Sequence, residues 1–285
     1  TAAEYRILTG DGLLSETGAL LRGVMPDARR AAVVADSNVA PLYFGLVRAS
    51  LEAAGFKVTL VLIEAGEKSK TWETVGGLLE RFAAAGLTRK DAVAALGGGV
   101  TGDLAGFAAA VYLRGVGYIQ LPTTLLAQID SSVGGKTGCD LQAGKNLAGA
   151  FWQPRLVLID PLALRTLPER VFRDGAAEAL KYGCIFSAGL FSRLAGEPLT
   201  PQSADLREVI ETCVKLKAGV VERDEKESGE RMLLNFGHTA GHALEKYYGY
   251  ETLTHGEAVG AGMALVTRAS EAAKLTKPGT ADQIV

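Results

Sequence analysis

Short apolar runs alternate with amphipathic stretches through the first half of the chain. Ala31–Ala35, Val58–Ile63, Ala92–Leu96, Tyr118–Leu121 and Leu156–Ile159 are built from Ala, Val, Leu and Ile with hardly a charge, which predicts buried strands. Between them, Leu42–Ala54, Thr71–Ala85 and Leu104–Val111 space their apolar residues as a helix does and use the helix formers Ala, Leu and Glu. Strand–helix alternation predicts a largely parallel sheet covered on both faces. After Pro161 the strand runs cease, and helical periodicity predicts helices near 169–187, 205–224, 236–248 and 256–275. The fold class expected is an α/β domain over 1–167 followed by an all-α domain over 168–285, with the boundary near Thr166–Pro168.

Composition narrows the function classes. With 285 residues, 48% hydrophobic and 22% charged, the chain is long enough for one large or two ordinary globular domains, each with its own core. A net charge of −2 and no long Lys/Arg run remove the broad positive field that nucleic-acid binding needs. Cys139, Cys184 and Cys213 are odd in number, far apart and without a CxxC pair, as expected of a reducing compartment rather than a disulfide framework. The N-terminal residues carry no signal-peptide pattern, and no apolar run reaches the roughly 18 residues of a membrane span, so a cytoplasmic protein is expected. The chain opens on Thr1 and stops at Val285 soon after an apolar-periodic segment, and its C-terminal end is expected to be incomplete.

Two glycine-rich segments are candidates for phosphate chemistry. Gly97-Gly98-Gly99-Val100-Thr101-Gly102-Asp103 follows a predicted strand and opens a helix, where backbone N–H groups can approach a pyrophosphate; a tight strand-to-helix turn would use the same glycines. A Rossmann fingerprint belongs to the first βα unit, with an acidic residue about 20 positions later. Here the acidic strand-end residue, Asp36, precedes the glycines, which points to a different nucleotide-binding α/β family. Gly134-Gly135-Lys136-Thr137 resembles the end of a P-loop, but Asp130 occupies the first glycine position of that motif, which argues against a Walker ATPase.

All three histidines, His238, His242 and His255, fall in one short stretch. On a helix over Phe236–Tyr248, Asn235, His238, His242 and Glu245 would form a polar stripe, lining a pocket or facing solvent. Thr239 stands where an HExxH motif has its glutamate base, so a hydrolytic zincin is not expected. A catalytic zinc usually takes three protein ligands, which calls for a carboxylate from elsewhere. Glu178 is a candidate, with Lys181 one turn later, although such a pair is commonly a surface ion pair. Spacing alone favours His238 with His242 as a metal pair.

With these residues assembled, the chain resembles the dehydroquinate synthase family of sugar-phosphate cyclases over essentially its whole length. The resemblance rests on Gly66-Glu67 with Lys70, the GGGVTGD loop, Tyr112-Leu113-Arg114-Gly115, the run Leu121 to Thr137, Gly144-Lys145-Asn146, Ala177 to Gly183, Asn235 to Ala243, and His255-Gly256-Glu257-Ala258-Val259. It implies a parallel-sheet nucleotide-binding domain plus an all-α metal- and substrate-binding domain. NAD would contact Asp36, Glu67, Lys70, Gly98, Gly99, Val100, Asp103, Thr123, Thr124, Asp130, Lys136, Lys145 and Thr166. Zinc, with cobalt as a substitute, would be held by Glu178, His238 and His255, in place of the spacing-derived His238–His242 pair. Substrate would meet Asp130, Lys136, Asn146, Lys181, Lys217, Arg231, Asn235 and His242, with Arg114 supplied across a homodimer interface.

The activity implied is conversion of 3-deoxy-D-arabino-heptulosonate 7-phosphate to 3-dehydroquinate and phosphate, in aromatic amino acid biosynthesis through chorismate, with NAD reduced only transiently. Lys136, Asn146, His242 and Arg114 would hold the phosphate, and Lys217 with Arg231 the carboxylate. Two other readings stand beside it: a cyclase like 2-deoxy-scyllo-inosose synthase, whose substrate has no carboxylate, and a metal-dependent alcohol or glycerol dehydrogenase that releases NADH. Family members continue into a further C-terminal segment whose lysine helps to hold the phosphate, and this sequence has no counterpart of it.

Overall fold

The computed structural model describes residues 4–249 and 252–284, in two compact units, Thr1–Leu164 and Arg165–Val285. The division falls after Leu164, where the sequence places it after residue 167.

In the first unit, β1 (Arg6–Thr9), α1 (Thr17–Val24), β2 (Arg30–Asp36), α2 (Gly45–Ala53), β3 (Lys57–Ile63), α3 (Trp72–Ala84), β4 (Ala92–Gly97), α4 (Gly99–Val111), β5 (Gly117–Pro122), the hairpin β6 (Lys136–Leu141) and β7 (Gly144–Phe151), and β8 (Leu156–Ile159) follow one another. Six strands form a parallel sheet in the order β1-β8-β5-β4-β2-β3. Alternation along β2 shows why both faces are covered. Ala31, Val33 and Ala35 pack with Leu21, Val47 and Leu51 of α1 and α2, while Ala32 and Val34 pack with Val75, Phe82, Leu104 and Ala108 of α3 and α4. From β2 the chain steps outward to β3, then returns to place β4 on the other side of β2 and continues through β5. The order of strands therefore reverses between β2 and β4, and in open α/β sheets ligands bind outside the carboxyl ends of strands at such a reversal.

The second unit is helical: α5 (Glu169–Phe186), α6 (Ala188–Gly196), α7 (Leu206–Arg223), a 3-10 turn Glu230–Asn235, α8 (His238–Tyr247) and α9 (His255–Ala272). The helix anticipated over 236–248 starts at His238, because Phe236 (ψ 126) and Gly237 (φ 81) break the backbone. Asn235 thus lies on the preceding turn and not on the stripe with His238, His242 and Glu245. A capping box, Thr254 with Glu257, starts α9.

Candidate active site

The glycine run sits at the reversal. Gly97 ends β4 and Gly98 caps α4 without a side-chain hydrogen bond, so the first N–H groups of that helix keep no intrahelical acceptor. A Cβ on Gly98 would come 3.0 Å from Thr124 Cγ2, and one on Gly99 would come 3.1 Å from Ser131 Oγ. The loop is therefore pressed against the segment after β5, and only glycine leaves its peptide face open to an anion. Across the reversal, Asp36 ends β2; its Oδ1 accepts from the Asn38 and Val39 N–H groups, and Thr101 Oγ1 donates to its Oδ2 (3.3 Å). Thr123, buried, donates its N–H to the Gly97 carbonyl (3.0 Å). Asp36, Gly98, Gly99, Val100, Thr123 and Thr124 thus share the carboxyl edge of β2, β4 and β5.

Lys70 ties a second group together. Its Nζ lies 2.6 Å from Asp103 Oδ2 and donates to Asn146 Oδ1 (2.6 Å), and its backbone carbonyl accepts from Asp140, whose own carboxylate accepts the Asn146 N–H. Burial disfavours its charge, but Asp103, with Glu67 and Asp140, outweighs this and holds the ammonium pKa above the ordinary lysine value. Lys145, in β7, approaches Glu67 on the turn Glu67–Ser69 at 3.8 Å. Asp130 is half-buried on the turn Ala127–Ser131, and Lys136 is exposed at the start of β6. Arg114 is exposed, and with Leu113 it holds φ of 63° and 49°, two successive left-handed non-glycine residues. Thr166 is exposed at the end of the 3-10 turn Pro161–Thr166, past the division.

The helical unit builds its site from α5 outward. Arg170, Asp174 and Glu178 recur every four residues and so share one face. Arg170 bonds Glu257 (2.8 Å) and the Thr252 carbonyl, and Asp174 Oδ1 accepts the Gly256 N–H (2.8 Å). These contacts dock the start of α9 along α5 and bring His255 to Glu178. Helices α8 and α9 then cross closely, since a Cβ on Gly262 would lie 2.1 Å from the Gly237 carbonyl oxygen.

The outcome is a convergent donor set. Glu178 Oε1 lies 3.3 Å from His255 Nε2 and 3.7 Å from His238 Nε2, and the ligand atoms of the three residues all fall within 4.8 Å of one another. Lys181 Nζ sits 2.5 Å from Glu178 Oε2, with both side chains 2% exposed, so this pair is not the surface ion pair that its spacing commonly means. A second group, His242, Glu245 and His255, also meets within 4.8 Å. Local spacing pairs His238 with His242, but the two fall into different groups. Burial lowers the His238 pKa. It opposes the charge on His255 as well, yet the Glu178 and Glu245 carboxylates, one beside each ring nitrogen, carry that pKa up to about 10. A field that holds a proton there also favours a metal dication, and two imidazole nitrogens with one carboxylate oxygen are a set that zinc accepts while leaving a position open.

Other buried charges point the same way. Among the described residues of this unit, the buried acidic and basic side chains are Glu178, Lys181, Lys217, Arg231 and Glu245. Lys217 stands on the buried face of α7 with Cys213, Val220 and Val221, where a helix normally places apolar groups. Arg231 donates to the Glu225 carbonyl and its N–H to Asp224. Asn235 is exposed and donates to Glu227 (3.1 Å); His242 is exposed at the rim. Arg170 and Asp174 were not singled out from the sequence, although their four-residue spacing from Glu178 was visible. Glu245 had a place on the stripe but no role.

Comparison with known proteins agrees with this geometry. The family model for the 3-dehydroquinate synthase N-terminal region matches residues 60–174, and that for the C-terminal region matches 175–285. A 3-dehydroquinate synthase of Pelobacter propionicus is 50% identical over 286 residues, covering 99% of this chain and 79% of the relative. One from Clostridium perfringens is 51% identical over 236 residues, covering 82% and 67%. Among solved structures, 2-epi-5-epi-valiolone synthase of Streptomyces hygroscopicus, with NAD+ and Zn2+ bound, superposes with a TM-score of 0.90 at 31% identity, covering 100% of this chain and 79% of that one. A 2-deoxy-scyllo-inosose synthase complexed with carbaglucose-6-phosphate, NAD+ and Co2+ gives 0.88 at 28%, covering 98% and 78%. The inosose synthase thus lies well below the dehydroquinate synthases in identity, and a glycerol dehydrogenase of Schizosaccharomyces pombe, at 16% identity with a TM-score of 0.69, covering 93% and 71%, shares the fold alone. The chain belongs to the 3-dehydroquinate synthase family.

Proposed function

We propose that the chain works as a 3-dehydroquinate synthase, converting 3-deoxy-D-arabino-heptulosonate 7-phosphate to 3-dehydroquinate and inorganic phosphate. The observation that carries this reading is the convergence of Glu178, His238 and His255 beside the buried Lys181 in a chain whose two halves both match that family. NAD and a zinc or cobalt ion are supported by the two cyclase structures that bind them, and by the open glycine edge and the donor set described above. When bound, they supply a hydride acceptor that is regenerated each turnover and a Lewis acid for a substrate hydroxyl.

The chain's own residues then position the substrate. Glu178, His238 and His255 hold the metal. Lys181, 2.5 Å from Glu178, holds that carboxylate in orientation. Lys217 and Arg231 bind the carboxylate, Arg231 offering a planar fork. Lys136, Asn146, His242 and Arg114 take the phosphate, Arg114 from the partner subunit of a homodimer, and Asp130 and Asn235 take hydroxyls. Held beside the neighbouring C–H, the phosphate can accept that proton on its own oxygen as its C–O bond to the substrate breaks and it leaves. NAD lies along Asp36, Glu67, Lys70, Gly98, Gly99, Val100, Asp103, Thr123 and Thr124, with Asp130, Lys136, Lys145 and Thr166 completing its contacts. A cytoplasmic location fits a biosynthetic enzyme in which no described helix is long and apolar enough to cross a membrane. Dialysis against a chelator should abolish phosphate release, and zinc or cobalt should restore it; full turnover by metal-free protein would overturn the reading.

A further inference from the structure

We infer that Glu245 is a positioning residue for the metal, acting through His255. The inference rests on the reading that Glu178, His238 and His255 hold an ion. His255 sits between two carboxylates, one at each ring nitrogen: Nε2 is 3.3 Å from Glu178 Oε1, and Nδ1 is 3.7 Å from Glu245 Oε1. A neutral imidazole carries one N–H and one lone pair. Only the Nε2 side faces the convergent donor set, so Nε2 must offer the lone pair and Nδ1 must carry the proton. Glu245 supplies the carboxylate oxygen on that side of the ring, 3.7 Å from Nδ1. A carboxylate behind a metal-bound histidine fixes its tautomer and ring orientation and makes the ligating nitrogen more basic.

The surroundings suit such a support. Glu245 is 4% exposed although it stands on the polar face of α8, one turn beyond the rim-exposed His242. It is carried on the same helix as His238, whose Nε2 faces Glu178, so α8 contributes a ligand at its first residue and a supporting carboxylate two turns on. The close crossing of α8 and α9 at Gly237 and Gly262 keeps that carboxylate in reach of His255 at the first residue of α9. His255 itself is docked against α5 through its neighbours Gly256 and Glu257, so its backbone is fixed and the remaining freedom is rotation of the ring. Glu245 limits that rotation.

The test is zinc affinity, measured by chelator competition on the whole protein at one pH near neutral, with the cobalt-substituted absorption spectrum as a second readout. Glu245→Ala should weaken zinc binding roughly 10–100-fold and alter the cobalt bands while leaving the far-ultraviolet dichroism of the fold unchanged. Glu245→Gln keeps an acceptor for the Nδ1 proton but loses the charge, and should fall between the two. Wild-type affinity and spectrum in both variants would overturn the inference. So would a wild-type stoichiometry of two ions per chain that drops to one in Glu245→Gln, since His242, Glu245 and His255 would then form an ion site of their own. A wild-type protein that binds no zinc would instead sink the underlying metal reading.

Discussion

Substituting Gly262 by alanine perturbs the helix crossing on which the donor set depends. The new Cβ would lie 2.1 Å from the Gly237 carbonyl oxygen and 2.8 Å from the Gly241 nitrogen, against 3.4 Å for ordinary contact. Both obstructing atoms are backbone, so no side chain can swing aside, and the backbones of α8 and α9 must separate by about 1 Å at this point. His238 directly follows Gly237 and moves with it. Metal–ligand distances tolerate only about 0.2 Å, so a shift of this size detaches one of the three ligands. Overpacking of this kind costs about 1–3 kcal/mol. Urea unfolding of the metal-free protein reads the stability term, and zinc content after dialysis reads the displacement. Gly260, on the same helix with nothing within 4 Å of its Cβ position, is the control. Gly260→Ala should be neutral or stabilising by up to about 1 kcal/mol, because glycine is the poorer helix former. If Gly262→Ala matched Gly260→Ala in both stability and zinc content, the close crossing would not be what sets the histidine geometry.

Further outcomes follow from other contacts. His238→Ala and His255→Ala should lose zinc, whereas His242→Ala should keep it near one ion per chain and lose activity; metal analysis of the three purified variants checks this, and a His242→Ala protein without zinc contradicts the ligand set. Lys70→Met leaves Asp103 largely buried opposite an uncharged chain and should cost on the order of 3 kcal/mol, most of it recovered in Lys70→Met/Asp103→Asn, as read by a double-mutant cycle in urea. Glu257 is held at about 2 by its bond to Arg170, below its value in the unfolded chain. Its contribution is therefore present above the ordinary glutamate pKa of about 4.3 and lost as pH falls from there through about 2. Glu257→Gln should flatten that acid limb in pH-dependent unfolding, and an unchanged slope would refute the assignment.

Much of the fold could be read from local patterns. The five apolar runs became β2, β3, β4, β5 and β8; β2, β4, β5 and β8 are buried on both faces and need no alternation, whereas β3, expected to be buried, lies at the sheet edge and leaves Leu62 exposed because it has a neighbour on one side only. What escaped had no such signature. β1 is a four-residue edge strand, and β6 and β7 are rich in Gly, Lys and Asn, so their hairpin is set by the partners they pair with. α1 and α6 are short, with 8 and 9 residues. Within the site, chain-local spacing suggested His238 with His242, but the approach of His255 to Glu178 depends on Arg170 and Asp174 reaching across 82 or more positions to the start of α9. Burial likewise decided Lys181. Its three-residue spacing from Glu178 suits a surface pair as well as a pocket, and only tertiary packing tells them apart.

The most direct test of the central claim is to follow phosphate release and absorbance at the NADH band together, with the purified protein, zinc, the heptulosonate 7-phosphate and NAD. The account predicts many phosphates released per NAD with no net NADH, because the hydride is returned to the ring before the product leaves. NADH accumulating in step with product would contradict it.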